Sequence, residues 1–368
     1  MSFSIGIVGL PNVGKSTLFK ALTKKQVDIS NYPFCTINPN VGVVAVPDER
    51  LDNLTSLLKP EKVIPTAIEF VDIAGLVKDA HKGEGLGNQF LSHIREVKAI
   101  VQVIRDFQDP NVAHIAGKVN PQSDIETVNM ELIFADLATL DKRLADVKPK
   151  AKTGEKEARE VLPVLEKIKT ALEAGRLAIE VELTHEEQEL VKDLHLLTLK
   201  PVLYVLNVSE NTFPGSPESS DSGQPRSEDL GVPVGGAFVI EISAKLEAEL
   251  ADLSEKEANE YRKEAGAIES GLDKLIKASY QLLDLVTFFT TQSNILQAWT
   301  VKRGAKAPEA AGVIHTDFSE GFIKAEVINW QDLVKVGGEH QAREKGLLRV
   351  EGKVYVVQDG DVIHFRFQ

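Results

Sequence analysis

Along the first hundred residues, short β-branched runs alternate with amphipathic stretches. Residues 3–9, 41–47, 66–74 and 99–105 read as strands with little polar alternation, and helical patterns begin near Lys15, Pro47 and Leu86. Strands of that kind separated by helices predict a mostly parallel sheet covered on both faces. From about residue 125 to 199 the strand signal stops. Val128, Leu132, Ala135, Leu140, Leu144 and Val147 recur near helical spacing, and Val161, Leu165, Ile168 and Leu172 resume it after a polar gap at 148–159. This predicts a helical hairpin inserted in the sheet domain. Strand signals return at 202–208 and 237–243, separated by a Pro-, Gly- and Ser-rich stretch at 211–236 that reads as a long loop. After a helix near 272–283, short strand signals follow at 286–291, 298–301, 324–327, 347–350, 354–357 and 362–367, a small α+β module. The expected division is therefore residues 1–124 with 200–284, an inserted helical domain at 125–199, and a C-terminal domain at 285–368.

Composition narrows this picture. The 368 residues carry a formal net charge of -13, which argues against coating nucleic acid over the whole surface but allows a local basic patch. Such a patch is available at the hairpin tip, where Lys148, Lys150, Lys152, Lys156 and Arg159 stand beside Glu155 and Glu157; a solvated corner accounts for the same charges. Residues 285–368 hold ten basic and ten acidic side chains, so the acidic excess lies in the rest of the chain. The single cysteine, Cys35, excludes an internal disulfide and a zinc site of several thiolates. No apolar run approaches the roughly 20 residues of a bilayer crossing, and the N-terminus lacks a secretory pattern, so a cytoplasmic monomer without membrane partners is expected.

The chemistry begins at residues 9–16, Gly-Leu-Pro-Asn-Val-Gly-Lys-Ser, which fit G-x-x-x-x-G-K-[ST] between a strand and a helix. Glycines let backbone N–H groups curl around phosphate, the helix N-terminus adds its dipole, Lys15 meets the β and γ phosphates, and Ser16 ligates Mg²⁺. Asn12, Val13, Gly14 and Thr17 complete the nucleotide-contacting loop. Asp72 ends the strand at 66–74, where it would face Mg²⁺ through water, with the Gly75 N–H toward the γ phosphate. Thr36, between two proline-containing turns, is the natural residue to close on Mg²⁺ and the γ phosphate, and the glycine-rich 82–87 segment suits order–disorder switching.

With these residues assembled, the chain resembles the translation-factor-related P-loop GTPases, most closely the Obg-like ATPases of the YchF subfamily. The shared stretches are residues 9–17, 31–42, 72–76 with the following glycines, Asn207-Val208-Ser209-Glu210, Ser243-Ala244-Lys245 and the C-terminal module, which resembles a TGS domain of β-grasp type. The resemblance implies an α/β, doubly wound P-loop NTPase with an inserted coiled-coil-like arm, acting as a slow switch on a ribosome-associated, RNA-containing or stress-related partner. GTPases of this kind read guanine with Asn-Lys-x-Asp. Here the lysine is absent and the acid is one methylene longer, a loss worth about 1–3 kcal/mol of base discrimination. The subfamily accordingly prefers ATP, with Asn207, Val208 and Glu210 expected around adenine and Ser243, Ala244 and Lys245 near the ribose or base. Leu76 replaces the water-orienting glutamine of Ras-like enzymes, and the resemblance points to His114 instead. Asn12 matches the position at which related NTPases hold K⁺; an asparagine there can equally brace the loop. A GTPase with a divergent base pocket, or a nucleotide-gated binding protein with incidental hydrolysis, are the alternatives at this stage.

Overall fold

A computed structural model of the chain describes residues 3–27, 38–73, 86–109, 119–210, 238–264 and 270–368. The first described elements are β1 (Ser4–Val8), α1 (Lys15–Lys24), β2 (Val41–Ala45), α2 (Glu49–Leu58), β3 (Lys62–Ile64), β4 (Ala67–Asp72), α3 (Leu86–Glu96) and β5 (Ala99–Asp106). The inserted helices α4 (Pro121–Thr153), α5 (Lys156–Glu173) and α6 (His185–Val191) precede β6 (Val202–Val208), β7 (Phe238–Ile242), α7 (Ala244–Leu250), α8 (Glu255–Glu264) and α9 (Gly271–Leu282). Then come β8 (Leu285–Gln292), β9 (Ile295–Lys302), α10 (Ala307–Ile314), α11 (Thr316–Glu320), β10 (Phe322–Asn329), α12 (Trp330–Val336), α13 (Glu339–Glu344), β11 (Arg349–Glu351) and β12 (Asp361–Phe367). Two compact units divide the described residues: 3–25, 38–42 and those within 69–279 form the first, and 26–27, 43–68 and 280–368 the second.

The first unit contains β1, β5, β6, β7 and most of β4, in a six-stranded sheet of order β2-β4-β1-β5-β6-β7. From β4 to β7 neighbouring strands run parallel, with Ile7 opposite Asp72, Val8 opposite Gln102, Asp106 opposite Val208 and Asn207 opposite Ile242. Every residue of β5 from Ala99 to Arg105 is buried, as a central strand covered on both faces requires. Parallel pairing brings the carboxyl ends of β1, β4, β5, β6 and β7 to one edge, where ligands bind in open α/β sheets.

The insertion starts where the Asn120 side chain accepts from the Ser123 N–H at 3.1 Å and Pro121 occupies the first turn of α4. The polar stretch at 148–159, expected as a gap, is almost wholly helical. Helix α4 runs through Pro149 to Thr153, Gly154 closes it at φ 96°, and α5 begins at Lys156. Its Ala151 and Ala158 are buried with Leu144, Val147, Val161 and Leu165, so the apolar seam continues through the charged sequence. At the arm's base the fully buried Asp136 carboxylate accepts from the Leu197 N–H at 2.9 Å, the Thr198 N–H at 2.8 Å and the Thr198 hydroxyl at 2.7 Å. Arg95 donates to Thr139 Oγ1 at 2.9 Å and to the carbonyls of Leu194 and His195, tying α3 to the same place. The arm therefore groups with the first unit, although the sequence reading separated residues 125–199 as a domain.

The second unit has a mixed sheet of order β11-β10-β12-β8-β9-β3. An antiparallel β8–β9 hairpin pairs through β8 with the parallel β12, the β-grasp arrangement. One face packs Phe288, Val327, Ile363 and Phe365 against Ala307, Ala310 and Ala311 of α10. On the other face Leu51 and Leu54 of α2 join Phe289, Leu296, Ile328, Leu333 and Val362. Tyr280 donates to Thr300 Oγ1 at 3.1 Å and shares a 2.8 Å hydrogen bond with Thr287, while Thr66 bonds Thr300, a buried hydroxyl chain.

Two expectations are corrected here. Residues 49–64, assigned by sequence to the NTPase domain, supply the last strand of the second sheet through β3, parallel to β9, and cover one of its faces through α2. The C-terminal boundary near 285 does not enclose a complete core, because local patterning says that an element is amphipathic and not what it packs on. Residues 354–357, expected as a strand, form only an isolated bridge between Val356 and Lys306, and Val354 is 81% exposed. No helix of the described residues is long and apolar enough to cross a membrane.

Candidate functional site

The loop from Gly9 to Gly14 leaves β1 and opens α1 at the carboxyl edge of the first sheet. A Cβ on Gly9, at φ 151°, would meet the Val103 carbonyl at 2.4 Å; one on Gly14, at φ 101°, would meet Asn207 Nδ2 at 2.2 Å. Both motif glycines are thus dictated by close approach of the loop to β5 and β6 as well as by left-handed backbone. Val13 is buried beneath the loop, and Asn12 at its exposed tip adopts φ 62°.

Helix α1 begins differently from α2, α4 and α7. Asp48, Asn120 and Ser243 each cap their helices α2, α4 and α7 with a side-chain oxygen, whereas Gly14 offers α1 no side chain and its first turn holds no acidic residue. Its leading N–H groups and positive dipole end are left for an anion. Ser16 and Thr17 are exposed on that first turn. Lys15 is buried, and its Nζ donates to the Leu10 carbonyl at 2.6 Å, across the loop that would hold phosphate. Burial lowers its pKa to about 8, partly opposed by the Asp72 carboxylate. Asp72 is half-buried at the end of β4, its own pKa raised by burial and pulled back by Lys15. Its N–H donates to the Asn40 carbonyl at 2.8 Å. Lys15 and Asp72 thus act on one another's charge.

The base-side residues are brought together with two changes of role. Asn207 is buried with both ends of its amide occupied: Nδ2 donates to the Val13 carbonyl at 2.8 Å, and Oδ1 accepts from the Ala244 N–H at 2.9 Å. It therefore locks the phosphate loop to the β7–α7 junction, a bracing role where direct contact with adenine was expected. The Val208 side chain, also expected beside adenine, is buried with Ile104, Ile125, Tyr204 and Leu206. Alternation along β6 explains it: residues 207 and 208 point to opposite faces of the sheet. Glu210 and Lys245 remain at the rim and meet in a 2.6 Å ion pair, with Lys245 71% exposed. Ser243 caps α7 by accepting from the Leu246 N–H at 3.4 Å. Thr36, Gly75 and His114, with Leu76, lie outside the described residues.

Sequence reasoning missed Arg105, at the end of β5 and opposite Asn207, which is 2% exposed. A cationic residue near the end of a largely apolar strand beside the phosphate loop was the available signal.

A phosphate loop at a helix N-terminus, a buried lysine facing a strand-end aspartate, and a brace from β6 define the class: a P-loop NTPase. The comparisons agree. Residues 4–131 match the family described as 50S ribosome-binding GTPase, and residues 285–368 match the YchF-GTPase C-terminal family, described as a protein of unknown function (DUF933). The chain is 54% identical over 369 residues, covering 100% of both chains, to "Ribosome-binding ATPase YchF" of Bacillus subtilis (strain 168). It is 48% identical, over 100% of this chain and 99% of the relative, to the protein of the same name in Escherichia coli O157:H7. The solved Schizosaccharomyces pombe YchF GTPase superposes with a TM-score of 0.88 at 38% identity, covering 99% of this chain and 98% of that one. A GTP binding protein from Pyrococcus horikoshii OT3, at 19% identity with a TM-score of 0.58 over 100% of both chains, shares the fold. The chain belongs to the YchF family.

Proposed function

We propose that this protein is an ATP-hydrolysing switch that acts on the ribosome. The observation that carries ATP over GTP is the end of β6. Guanine reading needs a carboxylate on a short aspartate arm; here Glu210 takes that place and is paired with Lys245, while Asn207 is committed to the scaffold. The bacterial relatives named as ribosome-binding ATPases, matched over the full length, support both the nucleotide and the partner.

The exposed Ser16 hydroxyl and the half-buried Asp72 carboxylate are the hard oxygen donors that Mg²⁺ takes. Among the described residues no group of three or more acidic, His or Cys side chains gathers into a metal site, so nucleotide phosphates and water would complete the shell. Ser16 and Thr36 would hold Mg²⁺ directly and Asp72 through water; the ion, when bound, supplies positive charge to the β and γ phosphates. The chain does the rest. Lys15 exchanges the Leu10 carbonyl for phosphate oxygens, the α1 amides and the Gly75 N–H hold the charge that develops, and His114 orients the attacking water in place of glutamine. Asn12 is the candidate K⁺ position, tested by comparing rates in KCl and NaCl.

Residues 285–368 act as a TGS-like module in this reading, and the protein works as a cytoplasmic monomer. Of the arm-tip cations, Lys148 pairs with Glu166 at 3.3 Å, Lys150 with Asp146 at 3.0 Å and Lys156 with Glu160 at 3.9 Å, while Lys152 is exposed with no ion pair among the described residues. RNA phosphates would compete for these exposed lysines, so binding should weaken steeply with salt. The test is phosphate release by the unmodified chain, Lys15→Ala and His114→Ala, with and without ribosomes. Lys15→Ala should be inactive and His114→Ala about 10²-fold slower. Retained hydrolysis in Lys15→Ala would refute the P-loop mechanism, and failure of ribosomes to bind or change the rate would refute the partner.

A further inference from the structure

One rung of the sheet holds two buried polar side chains, Asn207 on β6 and Arg105 on β5, in direct register. Asn207 fixes the phosphate loop and the β7–α7 junction. Arg105 turns back on the segment that follows its own strand: Nε donates to the Phe107 carbonyl at 3.1 Å and Nη2 to the Asp109 carbonyl at 3.3 Å. The guanidinium carbon also lies 4.5 Å from the Phe107 ring centroid, a cation–π contact inside the fold. A rigid planar fork that satisfies two carbonyls and a ring face fixes the turn from 107 to 109, where a flexible lysine would hold one carbonyl at a time. With Asp106 opposite Val208 on the neighbouring strand, this turn leaves the sheet beside the segment that carries Glu210. The Lys245 ammonium is held above its usual range first by the Glu210 hydrogen bond and charge, with Glu249 and Asp109 adding to it. Residues 107–109 after β5, Glu210 after β6 and Lys245 after β7 thus leave one edge of three neighbouring parallel strands, and Glu210 and Lys245 meet there.

We propose that Arg105 is a positioning residue for the nucleotide base, holding the turn from 107 to 109 as the β5-side wall of the base pocket. The phosphates are gripped by other groups: the α1 amides, Lys15 and Ser16. Arg105 therefore sets how firmly the base is seated, and leaves phosphate binding to the loop. The inference rests on the base site assigned above, but not on which base is preferred.

The experiment compares ATP with inorganic tripolyphosphate, which occupies the phosphate loop without a base, each with Mg²⁺ and titrated into the full chain. Arg105→Leu should weaken ATP by about tenfold while tripolyphosphate changes less than about twofold, and Arg105→Lys should recover part of the loss. Phe107→Leu, which removes the half-buried ring under the guanidinium and leaves the donors in place, should weaken ATP by a smaller factor. Equal weakening of both ligands would overturn the proposal, because Arg105 would then support the whole site. No effect on ATP would overturn it too, as would loss of the circular dichroism spectrum in all three variants, which would make the residue structural. The ATP-to-GTP affinity ratio of the unmodified chain is read in the same titrations, so failure of the ATPase reading is seen separately.

Discussion

Asn207→Ala removes the brace on which the phosphate loop rests, and its consequence follows from the two bonds it makes. The amide spans 2.8 Å to the Val13 carbonyl and 2.9 Å to the Ala244 N–H, in a position only 5% exposed. Truncation leaves one acceptor and one donor unpaired with little access to water, at roughly 1–3 kcal/mol each, or about 2–4 kcal/mol after partial relaxation. Some of this appears as lost stability and some as a phosphate loop that must be ordered by ATP; at about 1.4 kcal/mol per decade, Kd should rise tenfold or more. Asn207→Asp is the sharper probe. It keeps an acceptor for the Ala244 N–H but sets a second acceptor against the Val13 carbonyl, a conflict that only protonation relieves. Its ATP affinity should therefore improve between about pH 8 and about pH 6, since a buried carboxyl without a donor is pushed upward in pKa. Fluorescent-nucleotide titration of both variants across that range measures it. An Asn207→Ala chain that binds ATP as tightly as the unmodified protein would refute the bracing role.

Lys15 should take up a proton when ATP binds near pH 9, because its pKa of about 8 in the free protein is restored upward by phosphate; calorimetry in buffers of different ionisation enthalpy reads the uptake, which Lys15→Ala should abolish. The same depressed value makes the free protein gain stability as pH rises from about 8 toward 10.5, since the unfolded chain holds that proton more tightly. Removing residues 285–368 should expose Leu51 and Leu54 of α2, each worth about 1.5–3 kcal/mol of burial, so hydrogen exchange should accelerate across 43–68, while 285–368 alone should melt less cooperatively than when joined to 43–68. Asp136→Asn should cost about 1–3 kcal/mol and raise exchange at residues 194–199, because one of two accepting oxygens becomes a donor facing donors; an unchanged melting temperature would contradict the pinning role.

Much of the site was legible because its constraints are local. Gly9 and Gly14 stand where any side chain would strike Val103 or Asn207, so the motif records backbone approach directly. The carboxyl-edge placement of Asp72 followed from its strand run, whereas Asn207 was singled out by the resemblance to the base-reading motif. What misled was side-chain direction: treating 207 and 208 as joint base contacts ignored the two-residue alternation that sends Val208 into the cluster with Ile104 and Ile125. The charged stretch at 148–159 concealed the last turn of α4 and the first of α5 because its surviving apolar contacts are two alanines, which add little to a hydrophobic pattern. The alliance of α2 and β3 with the second sheet was not legible at all. An amphipathic helix advertises a buried face, but the partner, more than two hundred residues away, is chosen by topology.

In the proposed function, the end of β6 selects adenine over guanine. Isothermal titration of the full chain with ATP and with GTP, each with Mg²⁺ in one buffer, tests it most directly. ATP should bind several-fold or more tightly than GTP, and Glu210→Asp should move the ratio toward GTP. Equal affinities, or tighter binding of GTP by the unmodified chain, would contradict it.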